Sequence, residues 1–197
     1  YRMPAMILSD GAIGQMMEKV ELRPQVQRLT DKEIAEKYGD WATTGKSGRK
    51  ANFISSLALE ARDMEQINLR LQAKYRLIEE TEVLFEKHLC DDAEYLLVAF
   101  GSSARICEST VEMARSKGIR MGLLRPITLF PFPTRIIQAM LPQLKGIMSV
   151  ELSAGQMVED IRLAVNGAVP VEFFGKMGGI VFSPEEVLNA FTAKFNL

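Results

Sequence analysis

Apolar residues cluster in short runs in the second half of the chain, and in a helical period before it. Tyr95 to Phe100 is too short and too apolar for an amphipathic helix and is stopped by Gly101, so it reads as a strand buried on both faces. Ser102 and Ser103 stand where a hydroxyl can cap a helix, Ile106, Val111, Met113 and Ala114 supply that helix's apolar side, and Gly118 stops it. Ile119 to Leu124 is a second apolar strand, closed by Arg125 and Pro126 because proline cannot donate to a sheet ladder. These elements form one βαβ unit.

The same alternation continues to the end. It predicts a short helix over Thr134 to Leu141, a strand over Gly146 to Val150, a helix over Ala154 to Val165 stopped by Asn166 and Gly167, and a strand over Val169 to Phe174. Ser183 to Glu186 is a capping box with proline at the first helical position, and opens a last helix with Val187, Leu188, Phe191 and Phe195 on one side. Strands alternating with helices imply an α/β fold: an open, three-layer, mostly parallel sheet with helices on both faces.

Upstream the pattern changes. Pro4 to Ser9 is strand-like, Asp10 and Gly11 signal a turn, and Ile13 to Val20 reads as a short helix. Thr30 to Glu33 is a capping box for a helix bearing Ile34 and Tyr38 and ended by Gly39. Asp40 to Asn52 has no period and reads as a mobile loop; its Gly45-Lys46-Ser47 is no phosphate loop, because Asp40 stands where the leading glycine belongs. Leu57 to about His88 is one long helix, with Leu57, Met64, Leu71, Ile78 and Phe85 repeating every seven residues. The expected organisation is an arm over 1–22, a linker with loop and long helix over 23–91, and an α/β domain over 92–197.

Composition narrows function. The 197 residues carry a net charge of −1, which leaves no electrostatic footprint for nucleic acid, and the apolar runs are strand-sized, so no membrane segment is expected. The 2 cysteines and 1 histidine cannot build a Cys-rich metal or iron–sulfur cage from this chain alone. Cys90 and Cys107 without a pairing pattern fit a reducing, cytoplasmic setting and read as buried thiols.

In a parallel sheet, ligands and partners gather at the carboxyl ends of the strands. There the chain offers Gly101, Ser102 and Ser103, then Arg125, then Glu151 and Gln156, as a candidate interface edge. Arg125 and Glu151 end neighbouring elements and are expected to pair. The turn at Gly101 lacks the later glycine of a dinucleotide fingerprint, so a phosphate or nucleotide module is the alternative reading. No nucleophile with an attendant base is visible, and no catalytic or metal-ligating residue is assigned.

Ser9-Asp-Gly with Gly14-Gln-Met-Met-Glu18, Val98 to Arg105, Leu124 to Pro133, Val150-Glu151 with Ala154 to Asp160, and Gly175 to Gly179 together resemble the alpha subunit of 2-oxoacid:ferredoxin oxidoreductases, most of all the 2-ketoisovalerate type. The resemblance implies a subunit of an enzyme that uses thiamine diphosphate with magnesium and iron–sulfur clusters to turn a 2-oxoacid and CoA into acyl-CoA, CO2 and reduced ferredoxin. It implies that 1–22 closes a pyrimidine-binding domain whose activating glutamate lies upstream of Tyr1, and that 92–197 is a transketolase C-terminal-like domain. The cofactors are expected on other subunits or domains, with beta, gamma and delta subunits and ferredoxin as partners, and a homodimer as an option. This part of the protein is expected to serve assembly and to be inactive alone. 2-Oxoglutarate and pyruvate are the alternative substrates.

Overall fold

A computed structural model describes the chain apart from Asp10, Glu18, Val20, Arg23, Asp40, Ala42, Thr44, Ser47 and Arg49. The Asp10 turn, the far end of the first expected helix and much of the 40–52 loop lie outside the described residues. The elements are α1 (Gly11–Gln15), α2 (Asp31–Tyr38), α3 (Ala61–Thr81), β1 (Phe85–His88), β2 (Tyr95–Val98), α4 (Gly101–Ser116), β3 (Met121–Pro126), α5 (Thr134–Met140), β4 (Gly146–Glu151), α6 (Met157–Val165), β5 (Val171–Gly175) and α7 (Pro184–Phe195). They divide into two compact units. One comprises Tyr1–Met16 with Lys74–Leu197, the other Met17–Ala73.

The smaller unit contains α2, whose capping box is complete: Thr30 Oγ1 accepts from Glu33 N–H at 3.3 Å, and Thr30 N–H donates to the Glu33 carboxylate at 2.8 Å. That reciprocal pair satisfies donors the helix start would otherwise leave open.

The larger unit is a three-layer α/β fold with a five-stranded sheet in the order β1-β3-β2-β4-β5. Strands β3, β2, β4 and β5 are parallel, and β1 runs antiparallel on the β3 edge. Alternate residues of each strand feed separate cores, as a pleated strand requires. Leu97, Met148 and Val150 pack with Cys107, Val111 and Ala114 of α4 and with Val187, Leu188 and Phe191 of α7. Leu96, Val98 and Ile147 pack on the other face with Ile137 of α5 and with Met157 and Ile161 of α6. At the sheet's base Tyr95 meets Phe191 edge-on, with ring centroids 5.2 Å apart, and Phe191 meets Phe195 at 4.7 Å.

Several expectations change. The long helix ends at Thr81 rather than near His88, because Phe85 to His88 hydrogen-bond as an edge strand to β3. The heptad position of Phe85 coincides with a strand whose alternate side faces the α5–α6 core. Pro4 to Ser9 forms no strand among the described residues. The first helix is Gly11–Gln15, starting before the expected Ile13. Ser102 and Ser103 do not cap α4; Phe100 holds the cap position and both serines lie in the first turn.

Candidate functional site

The chain leaves β2 for α4 on one face of the sheet and leaves β4 for α6 on the other. Neighbouring parallel strands whose connections diverge in this way open a crevice between their carboxyl ends, the topological switch point of such sheets. A cavity of about 430 Å³ lies there. Phe100, Gly101, Ser102 and Ser103 line it from the β2 side, and Glu151, Leu152, Ser153, Gln156, Met157 and Asp160 from the β4 side. Leu8, Ser9, Ile13 and Leu129 complete it.

Local conformation explains both walls. Gly101 starts α4 with φ +57°, a left-handed value that a side chain would resist, and so turns the chain sharply off β2. Gly155 turns the other wall at φ +102°, where the space is closed by Val158 and Phe173. Gly175, at the end of β5, packs so closely that a Cβ there would lie 2.5 Å from the Ser153 carbonyl oxygen.

Glu151 is the centre of the β4 wall. It is 3 % exposed, and its carboxylate accepts from Gln156 N–H at 2.9 Å, Met157 N–H at 3.1 Å and Val158 N–H at 2.9 Å. The Ser149 hydroxyl donates to it at 2.8 Å and the Ser153 hydroxyl at 3.0 Å. Burial pushes its pKa up, but the donors at Gln156, Ser149, Met157 and Ser153 outweigh burial, and the net value lies below the ordinary carboxylate range. Asp160 is shifted the other way, by burial first and then by the charges of Glu151 and Glu159. These two carboxylates are the only charged side chains among the described residues that line the cavity.

The opposite edge of the sheet is closed by ion pairs. Glu94 is held by Arg120 and by Lys145, the latter at 2.9 Å, and Arg115 contacts Asp92 at 2.7 Å. Arg115 also donates to the Met121 and Leu89 carbonyl oxygens. His88 sits at that edge too, at the end of β1 opposite Leu123, far from the carboxyl ends.

Gly101, Ser102, Ser103, Glu151 and Gln156 are thus brought together as the sequence indicated, and Arg125 is not. β2 lies between β3 and β4, so Arg125 and Glu151 do not end adjacent strands and form no pair. Arg125 instead bonds across the β1–β3 ladder to Glu86, its register partner, at 2.8 Å. Asp160 and the wall formed by Leu8, Ser9 and Ile13 were missed. Asp160 follows Met157 by three residues and so shares its side of α6, but nothing local says that this side meets the arm.

Comparison with known proteins agrees with this architecture. Residues 93–187 match the family described as pyruvate:ferredoxin oxidoreductase core domain II. The chain is 42% identical over 189 residues to the ketoisovalerate oxidoreductase subunit VorB of Methanothermobacter thermautotrophicus, covering 95% of this chain and 51% of that protein. It is 26% identical to the 2-oxoglutarate synthase subunit KorA of Methanothermobacter marburgensis, over 96% of this chain and 56% of that one. It therefore spans about half the length of the curated relatives it matches. The structure of a 2-oxoglutarate:ferredoxin oxidoreductase from Magnetococcus marinus superposes with a TM-score of 0.63 at 14% identity, over 78% of this chain and 28% of that one. The split-gene transketolase beta4 tetramer gives a TM-score of 0.50 at 13% identity, over 58% and 42%, in keeping with a transketolase C-terminal-like fold. Residues 93–187 thus match core domain II of the pyruvate:ferredoxin oxidoreductases, and nearly the whole chain is similar to about half of the ketoisovalerate and 2-oxoglutarate oxidoreductase subunits.

Proposed function

We propose that this chain is part of the alpha-type subunit of a thiamine diphosphate-dependent oxidoreductase that acts on 2-ketoisovalerate. A 2-oxoacid and CoA would be converted to acyl-CoA and CO2 by a two-electron oxidation, with the electrons passed to ferredoxin. The observation that carries the substrate is the identity of 42% to a ketoisovalerate subunit against 26% to a 2-oxoglutarate subunit, over nearly the same span.

Among the described residues, none of the side-chain groupings fits the iron–sulfur clusters of such an enzyme. Among the described residues no three His, Cys, Asp or Glu side chains could hold a metal ion, and both thiols are buried. The cavity at the switch point has no basic side chain among its described lining residues to meet a diphosphate. We therefore assign thiamine diphosphate and the clusters to other parts of the assembly, and to this chain the role of positioning and docking through the edge formed by Gly101, Ser102, Ser103, Glu151 and Gln156. Residues 1–22 would close a pyrimidine-binding domain in that assembly. Among the described residues no helix is long and apolar enough to cross a membrane.

The test is dye reduction by the complex assembled from the full-length subunits, with 2-ketoisovalerate, 2-oxoglutarate and pyruvate compared at saturating CoA. The branched substrate should give the highest kcat/KM, and the chain alone should give no turnover. A complex that prefers 2-oxoglutarate overturns the substrate assignment; turnover by the isolated chain overturns the division of labour.

A further inference from the structure

Helix α3 stops without a stop signal. Glycine, proline and asparagine, the residues that commonly end helices, do not occur from Glu82 to His88, and the seven-residue apolar period runs on through Phe85. Local sequence therefore continues the helix, while the fold draws the same residues out as β1 along β3. A conflict of this kind narrows the free-energy gap between two packings of one segment.

The docked strand carries two costs at its far end. Leu89, just past β1, has φ +51°, a left-handed value that a side chain resists, and the Arg115 guanidinium holds its carbonyl oxygen at 2.7 Å. His88 Nε2 is buried without a hydrogen-bond partner among the described residues. The grip on the strand is modest. It pairs with β3 alone, over 4 residues, and its Glu86–Arg125 ion pair is largely exposed and worth little.

The near end is a clasp. The Leu84 carbonyl oxygen accepts from the Ile127 and Thr128 N–H groups at 2.9 and 3.1 Å, and the Leu84 N–H donates to Thr128 Oγ1 at 3.0 Å. The next residue, Leu129, lines the switch-point cavity. Phe85 packs against the α5–α6 core, which makes the docked strand the ground state.

We propose that residues 82–88 are a two-state element: an edge strand clasped to β3 in the ground state, and an extension of α3 in a minor state that releases Leu84 from Ile127 and Thr128. Extension bares the outer edge of β3 and frees the loop that carries Leu129, so the end of α3 and the cavity wall change together. This device goes beyond the docking role given above and does not depend on the substrate.

The test is relaxation-dispersion and saturation-transfer NMR on the isotopically labelled chain, which read the shifts of minor states. Residues 82–88 should exchange with a state whose Cα shifts are helical, and Leu129 should exchange at the same rate. Thr128→Val keeps the shape but removes the hydroxyl that clasps Leu84, and should raise the minor population about fivefold. Leu89→Gly relieves the left-handed residue and should lower it about threefold. Val83 lies between α3 and β1 and in neither, so Val83→Pro spares the docked form while forbidding a helix through it, and the helical minor state should vanish.

No exchange in either the native chain or Thr128→Val overturns the proposal. Coil-like minor-state shifts over 82–88, or a different rate at Leu129, also overturn it. These readouts are independent of the turnover assay, so failure of the substrate assignment leaves the two-state element standing.

Discussion

Glu151 and Val158 are joined by a hydrogen bond of 2.9 Å from the Val158 N–H to Glu151 Oε1, so the last residue of β4 caps the helix that follows it. Removing the charge should be costly. In Glu151→Gln the amide cannot accept from both sides, one NH2 faces backbone donors, and we expect a loss of about 2–3 kcal/mol in urea unfolding. The pH dependence follows from the lowered pKa: stability from Glu151 is present above its ordinary value of 4.5 and is lost as pH falls through the lower folded value. The variant should lack that acid limb, and a wild-type curve of the same shape would refute the assignment.

Asp160 should behave in the opposite sense. Its folded pKa is raised above 3.8, so the folded state holds the proton more tightly than the unfolded chain and stability declines as pH rises through that window. Asp160→Asn should therefore raise the urea midpoint slightly at neutral pH, with the two proteins converging below about pH 4. A lower midpoint for the variant would contradict the crowding of negative charge at the cavity.

Gly175→Ala tests the packing behind the Glu151 loop. The added methyl would stand 2.4 Å from Phe173 Cζ and 2.5 Å from the Ser153 carbonyl oxygen, so backbone must move. We expect a cost of about 1–3 kcal/mol in urea unfolding. Gly14→Ala, whose methyl meets nothing within 4 Å, is the control and should change little.

Both thiols should resist alkylation while the protein is folded. Cys107 is fully buried and burial pushes its pKa well up; Cys90 is 4% exposed and donates to the Leu123 carbonyl oxygen at 3.2 Å. Iodoacetamide followed by mass measurement should find neither modified in buffer and both modified in denaturant.

Much of the fold was legible from the chain alone because its signals are local. Strand-length apolar runs ended by glycine, and helices opened by capping boxes at Thr30 and Ser183, fix elements through groups only a few residues apart. Their alternation then implies a parallel sheet with two covered faces. Of the six residues expected along the carboxyl ends, five line one cavity.

The rest was decided by strand order. Phe85 to His88 became a strand because β3 offered an unpaired edge, which no helical period could reveal. Arg125 parted from Glu151 because β2 was inserted between their strands, and then took the nearest carboxylate across the ladder. Asp160 joined the site because α6 crosses one face while α4 crosses the other, opening the crevice between them. Sequence determined most of the helices and the parallel strands from Tyr95 onward, since caps, stops and apolar runs are local signals. Only tertiary structure decided which ends meet, and thereby set Glu151 and Asp160 against Gly101 and Ser102 in one cavity at the carboxyl ends of β2 and β4.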